Sequence, residues 1–235
     1  MTTILHTAKE RGGADHGWLK TRHSFSFAHW YEPTRMGFGA LRVINDDWIA
    51  PHEGFGAHSH KDMEIITLVM QGTLTHEDSM GTLGVISAGD VQIMSAGTGV
   101  THSERNDGDE PLELFQLWIE AKEKGIAPRY GQNELHLSEQ GPGLTLLVAP
   151  LDTPEVLTIN QDAYIYYGTL DETHPLEYAL HAPANGVYVF VIDGTLTVAG
   201  ETLSPRDALG VTDATSLSLS SSSVSQFLLF EVPMS

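Results

Sequence analysis

Short apolar or alternating runs recur along the whole chain, at residues 23–27, 41–44, 65–70, 91–94, 112–119, 164–167, 187–192 and 227–232. Runs of this length, rich in Val, Ile, Phe and Tyr, predict β-strands. Clusters of Gly, Asp, Asn, Ser and Pro, such as Ala88-Gly89-Asp90 and residues 183–186, separate them and predict turns. No stretch carries a helical stripe between good caps, so the pattern predicts an all-β chain, a sandwich or barrel. Between residues 121 and 143 the periodicity lapses into Lys122-Glu123-Lys124-Gly125, Pro128 and Gly141-Pro142-Gly143. That segment predicts a connector with a turn of helix, dividing a first domain, 1–130, from a second, 131–235.

The two halves repeat each other. Gly72-Thr73-Leu74-Thr75 returns as Gly194-Thr195-Leu196-Thr197, 122 positions later. Each is followed by a strand and turn, Ile86-Ser87-Ala88-Gly89-Asp90 and Leu203-Ser204-Pro205-Arg206-Asp207, at an offset of 117. The same order at nearly the same offset points to duplication.

Composition narrows the function. Hydrophobic residues make up 41% and charged residues 18%, enough apolar surface to fold. Thirty-one acidic against 12 basic residues give a net charge of -19, which repels nucleic acid and anionic membranes. Cysteine is absent, so any metal must sit on His and carboxylate ligands. The first 13 residues carry charges but no apolar core, and no run reaches the roughly 18 residues of a membrane span. The expectation is a soluble, cytoplasmic protein.

His58-Ser59-His60 places two imidazoles two residues apart, and on a strand such residues project from one face about 7 Å apart. His102-Ser103-Glu104 repeats the spacing with an imidazole and a carboxylate. Two neighbouring strands bearing these pairs would offer one ion three nitrogens and an oxygen. Three imidazoles and a carboxylate suit one divalent transition metal per chain, Fe(II), Ni, Co, Mn, Cu or Zn, and the donor set does not choose among them.

These residues resemble the cupin superfamily, whose first motif is matched by Gly54, His58, His60, Glu64 and Gly72. The match departs from the usual spacing: Gly54 lies closer to His58, Gly72 is one residue late, Ser95 replaces a proline in the second motif, and two extra residues precede His102. A narrower group shares the departures. His23-Ser24-Phe25-Ser26-Phe27, Leu41-Arg42-Val43-Ile44-Asn45-Asp46-Asp47, His58-Ser59-His60-Lys61-Asp62-Met63-Glu64 and Ala96-Gly97-Thr98-Gly99-Val100-Thr101-His102-Ser103-Glu104 look like bacterial pirins. The resemblance covers residues 5–130 strongly and the remainder in its two-domain plan.

It implies a bicupin of two antiparallel jelly-roll barrels, with metal ligands matching His58, His60, His102 and Glu104. In many other cupins the glutamate matching Glu64 is the ligand instead, and its even offset from His60 would face it inward on an uninterrupted strand. Glu64 is therefore expected near the site without being a ligand. The repeat offsets carry the ligand positions onto Leu180, Ala182, Leu219 and Ser221, predicting a metal-free second domain. His76, Asp78 and Ser79 read as turn chemistry.

Similarity to pirins implies quercetin 2,3-dioxygenase activity, in which dioxygen opens the central ring of a flavonol with loss of carbon monoxide. Four protein ligands leave two positions for an aromatic substrate and dioxygen. Glu104 is the expected proton acceptor, and Phe25, Phe27, Phe38 and Phe55 are candidates to line a flat apolar pocket. The resemblance leaves open a second role, a redox-sensing regulator acting through a protein partner.

Overall fold

The computed structural model describes residues 1–234, built from β-strands with two short 3₁₀ turns, Ala8–Glu10 and Leu137–Glu139. Four sheets form, one of seven and one of four strands from each half. The first large sheet runs Arg129–Asn133, Val91–Ser95, Met63–Gln71, Leu112–Glu120, Leu41–Ile49, Leu19–His23, Gly12–Asp15. The second runs Thr2–His6, Ala208–Thr212, Asn185–Asp193, Ser225–Pro233, Tyr164–Leu170, Gly143–Pro150, Leu157–Ile159. The small sheets run Gly54–His60, Val100–Arg105, Thr73–Asp78, Leu83–Ser87 and Leu176–Ala179, Ser216–Ser221, Leu196–Val198, Glu201–Leu203. Matching strand order in the two halves agrees with the duplication read from the repeated tetrapeptides.

The edges are filled crosswise. Arg129–Asn133, from the predicted connector, pairs with Val91–Ser95, and the N-terminal strand Thr2–His6 pairs with Ala208–Thr212 in the second half's sheet. Residue 130 lies within the strand Arg129–Asn133, and Thr2–His6 lies in the second half's large sheet. Arg-Tyr-Gly-Gln-Asn has no apolar alternation, and backbone pairing along a sheet edge makes it a strand.

Each half's core lies where its large and small sheets meet. Leu19, Ile49, Val69, Leu112 and Leu114 pack on Leu74 and Ile86 in the first half, and Val189, Leu209 and Leu229 pack on Leu196, Leu217 and Leu219 in the second. A third and larger cluster joins the two seven-stranded sheets, with Ile66, Leu68, Phe115 and Leu117 against Ile165, Tyr188, Phe190 and Phe230. Sheets covered on both faces need strands apolar on both faces, and that is why these runs read as continuous.

One predicted strand is displaced. The strand expected at 23–27 instead covers Leu19–His23, and the chain then turns. Ser26 explains the exit: its amide bonds the Arg35 carbonyl at 2.6 Å, and its hydroxyl donates to the Glu32 carbonyl at 2.9 Å. Ser24 still bonds the Ile44 carbonyl, and the Ser26 bonds divert the chain beyond it into a local loop.

Candidate metal centre

The strands Gly54–His60 and Val100–Arg105 are antiparallel neighbours, with His58 opposite His102 and His60 opposite Val100. The register shifts between His102 and Glu104, where Glu104 faces Phe55. This bulge places an extra residue in the Gly-rich strand and re-aims the side chains beyond it. A Cβ on Gly54 would collide with the Glu104 carbonyl oxygen, so only glycine allows the strands to approach here.

The His58, His60 and His102 rings converge, with centroids 4.4 to 4.9 Å apart. A ligating nitrogen from each lies within 4.8 Å of the others, and a second such group, His76, His102 and Glu104, shares His102. Three of the four residues expected from sequence, His58, His60 and His102, form one group, whereas Glu104 groups with His102 and His76.

Proton placement fits a cation. His58 Nδ1–H donates to the Gly56 carbonyl at 2.8 Å, which leaves Nε2 as a free lone pair. His102 Nε2 is buried without a hydrogen-bond partner, a costly arrangement unless something ligates it. Burial, then His58, holds the His60 ring down at about 4, and burial followed by its histidine neighbours holds His102 at about 3. Both rings are neutral at physiological pH, the form that binds metal. Burial pushes the Glu104 carboxyl up to about 7, against hydrogen bonds from Gln116 and Thr67, with Asp47 adding to the rise. A buried carboxylate without a positive partner keeps its proton, and a bound cation would remove that cost.

Residues that sequence spacing does not reveal complete the site. Gln116 Nε2 donates to both Glu104 oxygens at 2.8 and 3.0 Å, and Trp118 Nε1 donates to Gln116 Oε1 at 3.2 Å. Trp118 also meets the His60 ring edge to face at 4.9 Å. The signal available was Gln116, the polar residue within the stretch Leu114 to Ile119. A cavity of about 510 Å³ opens from the histidines, walled by Trp18, Phe27, Phe55 and Trp118. Phe27 and Phe55 thus line it as expected. Phe25 and Phe38 do not; they pack on Tyr188 in the core between the large sheets.

Glu64 lies elsewhere. Lys61 and Asp62, the latter at φ 51°, interrupt the strand after His60, so the even offset no longer keeps Glu64 on the histidine face. Its side chain is fully buried and accepts a 2.5 Å bond from Ser95 Oγ, the residue standing where the motif usually has proline. Burial raises its pKa, against Ser95, the Asn160 amide and Arg129.

The second half carries no counterpart. Leu219 is opposite Leu176 and Leu217 opposite Tyr178, so Leu176 and Tyr178 occupy the places of His58 and His60. The expected equivalents, Leu180 and Ala182, fall beyond the strand because the loop 180–184 is longer than the two-residue turn at 61–62. Both metal-ligand groups found among the described residues lie in the first half.

Paired sheets around a single His/Glu cluster that can hold a metal define a cupin-type metal protein. The chain belongs to the pirin family, within the cupin superfamily. The pirin profile matches residues 5–119, and that of the quercetinase C-terminal cupin domain matches residues 146–232. The chain is 44% identical over 232 residues to quercetin 2,3-dioxygenase of Escherichia coli K12, covering 97% of this chain and 98% of that one. It is 45% identical to a pirin-like protein of Caulobacter vibrioides over 86% of this chain and 87% of that one. Among solved structures, the bacterial pirin YhhW of Escherichia coli in complex with nickel(II) superposes with a TM-score of 0.93 at 42% identity, covering 99% of each chain.

Proposed function

We propose that this chain is a metal-dependent dioxygenase that opens the central ring of flavonols such as quercetin. The observation that carries the reading is the three-imidazole cluster at the end of an aromatic-walled cavity, beside a buried carboxyl. Relatives that bear the name quercetin 2,3-dioxygenase, covering nearly all of the chain, support it.

His58, His60, His102 and Glu104 would hold one ion, with Fe(II) our first choice. Such an ion supplies Lewis acidity toward a flavonol 3-hydroxyl and a redox route to dioxygen. The protein's share is positioning and proton transfer. Trp118, Phe27, Phe55 and Trp18 offer apolar faces and edges to a planar ring system and exclude water. Glu104, oriented by Gln116, accepts the 3-hydroxyl proton at a carboxylate oxygen. The oxygen atoms of O₂ enter the ring-opened product, and the carbon bearing the 3-hydroxyl leaves as carbon monoxide.

In this reading the paired sheets of each half are two jelly-roll barrels, the chain divides into two domains near residue 130, and the protein works in the cytoplasm. No helix of the described residues is long and apolar enough to cross a membrane. The test is oxygen uptake with quercetin by protein stripped of metal and then reconstituted with each candidate ion. Uptake by at least one metal-loaded form and none by the stripped protein is expected. Inactivity with every ion, combined with metal-dependent binding of a protein partner, would replace the enzyme by a regulator.

A further inference from the structure

The turn at the end of Thr73–Asp78 does more than reverse the chain. Asp78 is the cross-strand partner of His102, and His76 that of Glu104. Short distances connect the three side chains Asp78, His76 and His102 in that order. Asp78 Oδ2 is 3.0 Å from His76 Nε2, and His76 Nδ1 is 3.4 Å from His102 Nδ1. The His76 and Asp78 side chains are completely buried.

With Asp78 ionised and His76 neutral, one arrangement of protons satisfies this line. Asp78 Oδ1 accepts from the backbone amides of Met80 and Thr82, and an ionised Asp78 offers His76 acceptor atoms only. His76 must then carry its proton on Nε2, which leaves Nδ1 as an acceptor. Gln92 Nε2, 3.3 Å away, also points a donor at that atom. The facing nitrogen of His102 must be the protonated one, so the lone pair of His102 sits on Nε2, the buried atom without a partner. We propose that Asp78 and His76 form a hydrogen-bond relay that holds His102 as its Nδ1–H tautomer and aims its Nε2 lone pair at the metal. His76 and Asp78 are positioning residues, and their metal role rests on the ligand reading given above. Partners behind a ligating histidine commonly fix its tautomer and orientation in this way.

Asp78→Asn separates the relay from the turn. The turn amides of Met80 and Thr82 both bond Asp78 Oδ1, at 2.9 and 3.1 Å, and the Asn carbonyl can keep them. The Asn NH₂ then replaces Oδ2 and points a donor at His76 Nε2. That reverses the line: His76 becomes Nδ1–H, Gln92 flips to accept, and His102 is forced to carry its proton on Nε2.

The experiment uses the full chain and Zn(II), a diamagnetic probe. Chelator competition should show Asp78→Asn binding Zn(II) about 10 to 100-fold more weakly than wild type. Metal-free melting should stay close to wild type. Nitrogen-15 NMR of the metal-free proteins should place the His102 proton on Nδ1 in wild type and on Nε2 in the variant. His76→Phe, which keeps a ring beside Tyr130 but removes the acceptor, should also weaken Zn(II) binding. Wild-type affinity in Asp78→Asn, with the His102 proton still on Nδ1, overturns the relay and leaves the metal site standing. Two Zn(II) per chain in wild type and one in His76→Phe would make His76 a ligand and also overturn it. Wild type that binds no Zn(II) defeats the ligand reading itself.

Discussion

Glu104 and Glu64 have similar claims in the sequence and opposite positions in the fold. Glu104 sits beside His102 under Gln116, whereas Glu64 sits behind the large sheet with Ser95 and near Asn160 of the second half. Glu104→Ala should therefore weaken metal affinity by well over about tenfold. Glu64→Ala should lower the melting temperature while leaving affinity per folded molecule unchanged; calorimetric titration and thermal melts check both, and the reverse ranking would restore Glu64 as ligand. The pKa of Glu104 makes a second prediction. Its carboxyl rises from the ordinary 4.5 to about 7 in the metal-free fold, so its contribution to stability is complete below about pH 4.5 and is lost as pH rises through about 7. Metal-free Glu104→Gln should lose less stability than wild type between about pH 5 and about pH 8, and equal losses in melts at the two pH values would contradict this. The histidine pairs were legible because both candidate ligands of a pair lie on one strand. Gln116, Trp118 and the Asp78–His76 line were not, because they reach the site across neighbouring strands, a relation that spacing along one strand does not encode.

Among the elements, the strand Gly54–His60 sets the geometry. Its bulge lets His58 stand opposite His102 while Glu104, two residues on, faces Phe55, three residues back from His58. Gly54→Ala should force the strands apart, costing about 1–3 kcal/mol and weakening metal binding, although residue 54 touches no ligand atom. Unchanged melting and affinity would mean that the strands can separate freely. The buried strands were readable from their apolar runs. The loop after His23 was not, since Phe25 and Phe27 continue the alternation while the Ser26 hydrogen bonds take the backbone out of the ladder. Glu64 was placed on the wrong face for a related reason: an even offset carries information only while the strand is unbroken, and the turn at Lys61-Asp62 breaks it.

For the whole molecule, the largest core cluster lies between the halves rather than within either one. With Thr2–His6 in the second half's sheet and Arg129–Asn133 in the first half's, the two are tied by backbone pairing as well as by apolar burial. Calorimetry of the metal-free protein should show one cooperative transition, and two separated transitions would mean that the halves are energetically independent. The second half has Leu176 and Tyr178, packing residues, in the places of the candidate ligands His58 and His60. Duplication was visible in the repeated tetrapeptides, but this shared core was not, because the same apolar strand serves equally well inside a half or between halves. The central claim is that the metal-loaded site cleaves a flavonol with dioxygen. Reaction of metal-reconstituted protein with quercetin under ¹⁸O₂ tests it most directly. The account predicts one carbon monoxide released per quercetin consumed and both labelled oxygen atoms in the ring-opened product, with no reaction by the metal-free protein; quercetin left intact by every metal-loaded form, or consumed without carbon monoxide, would contradict it.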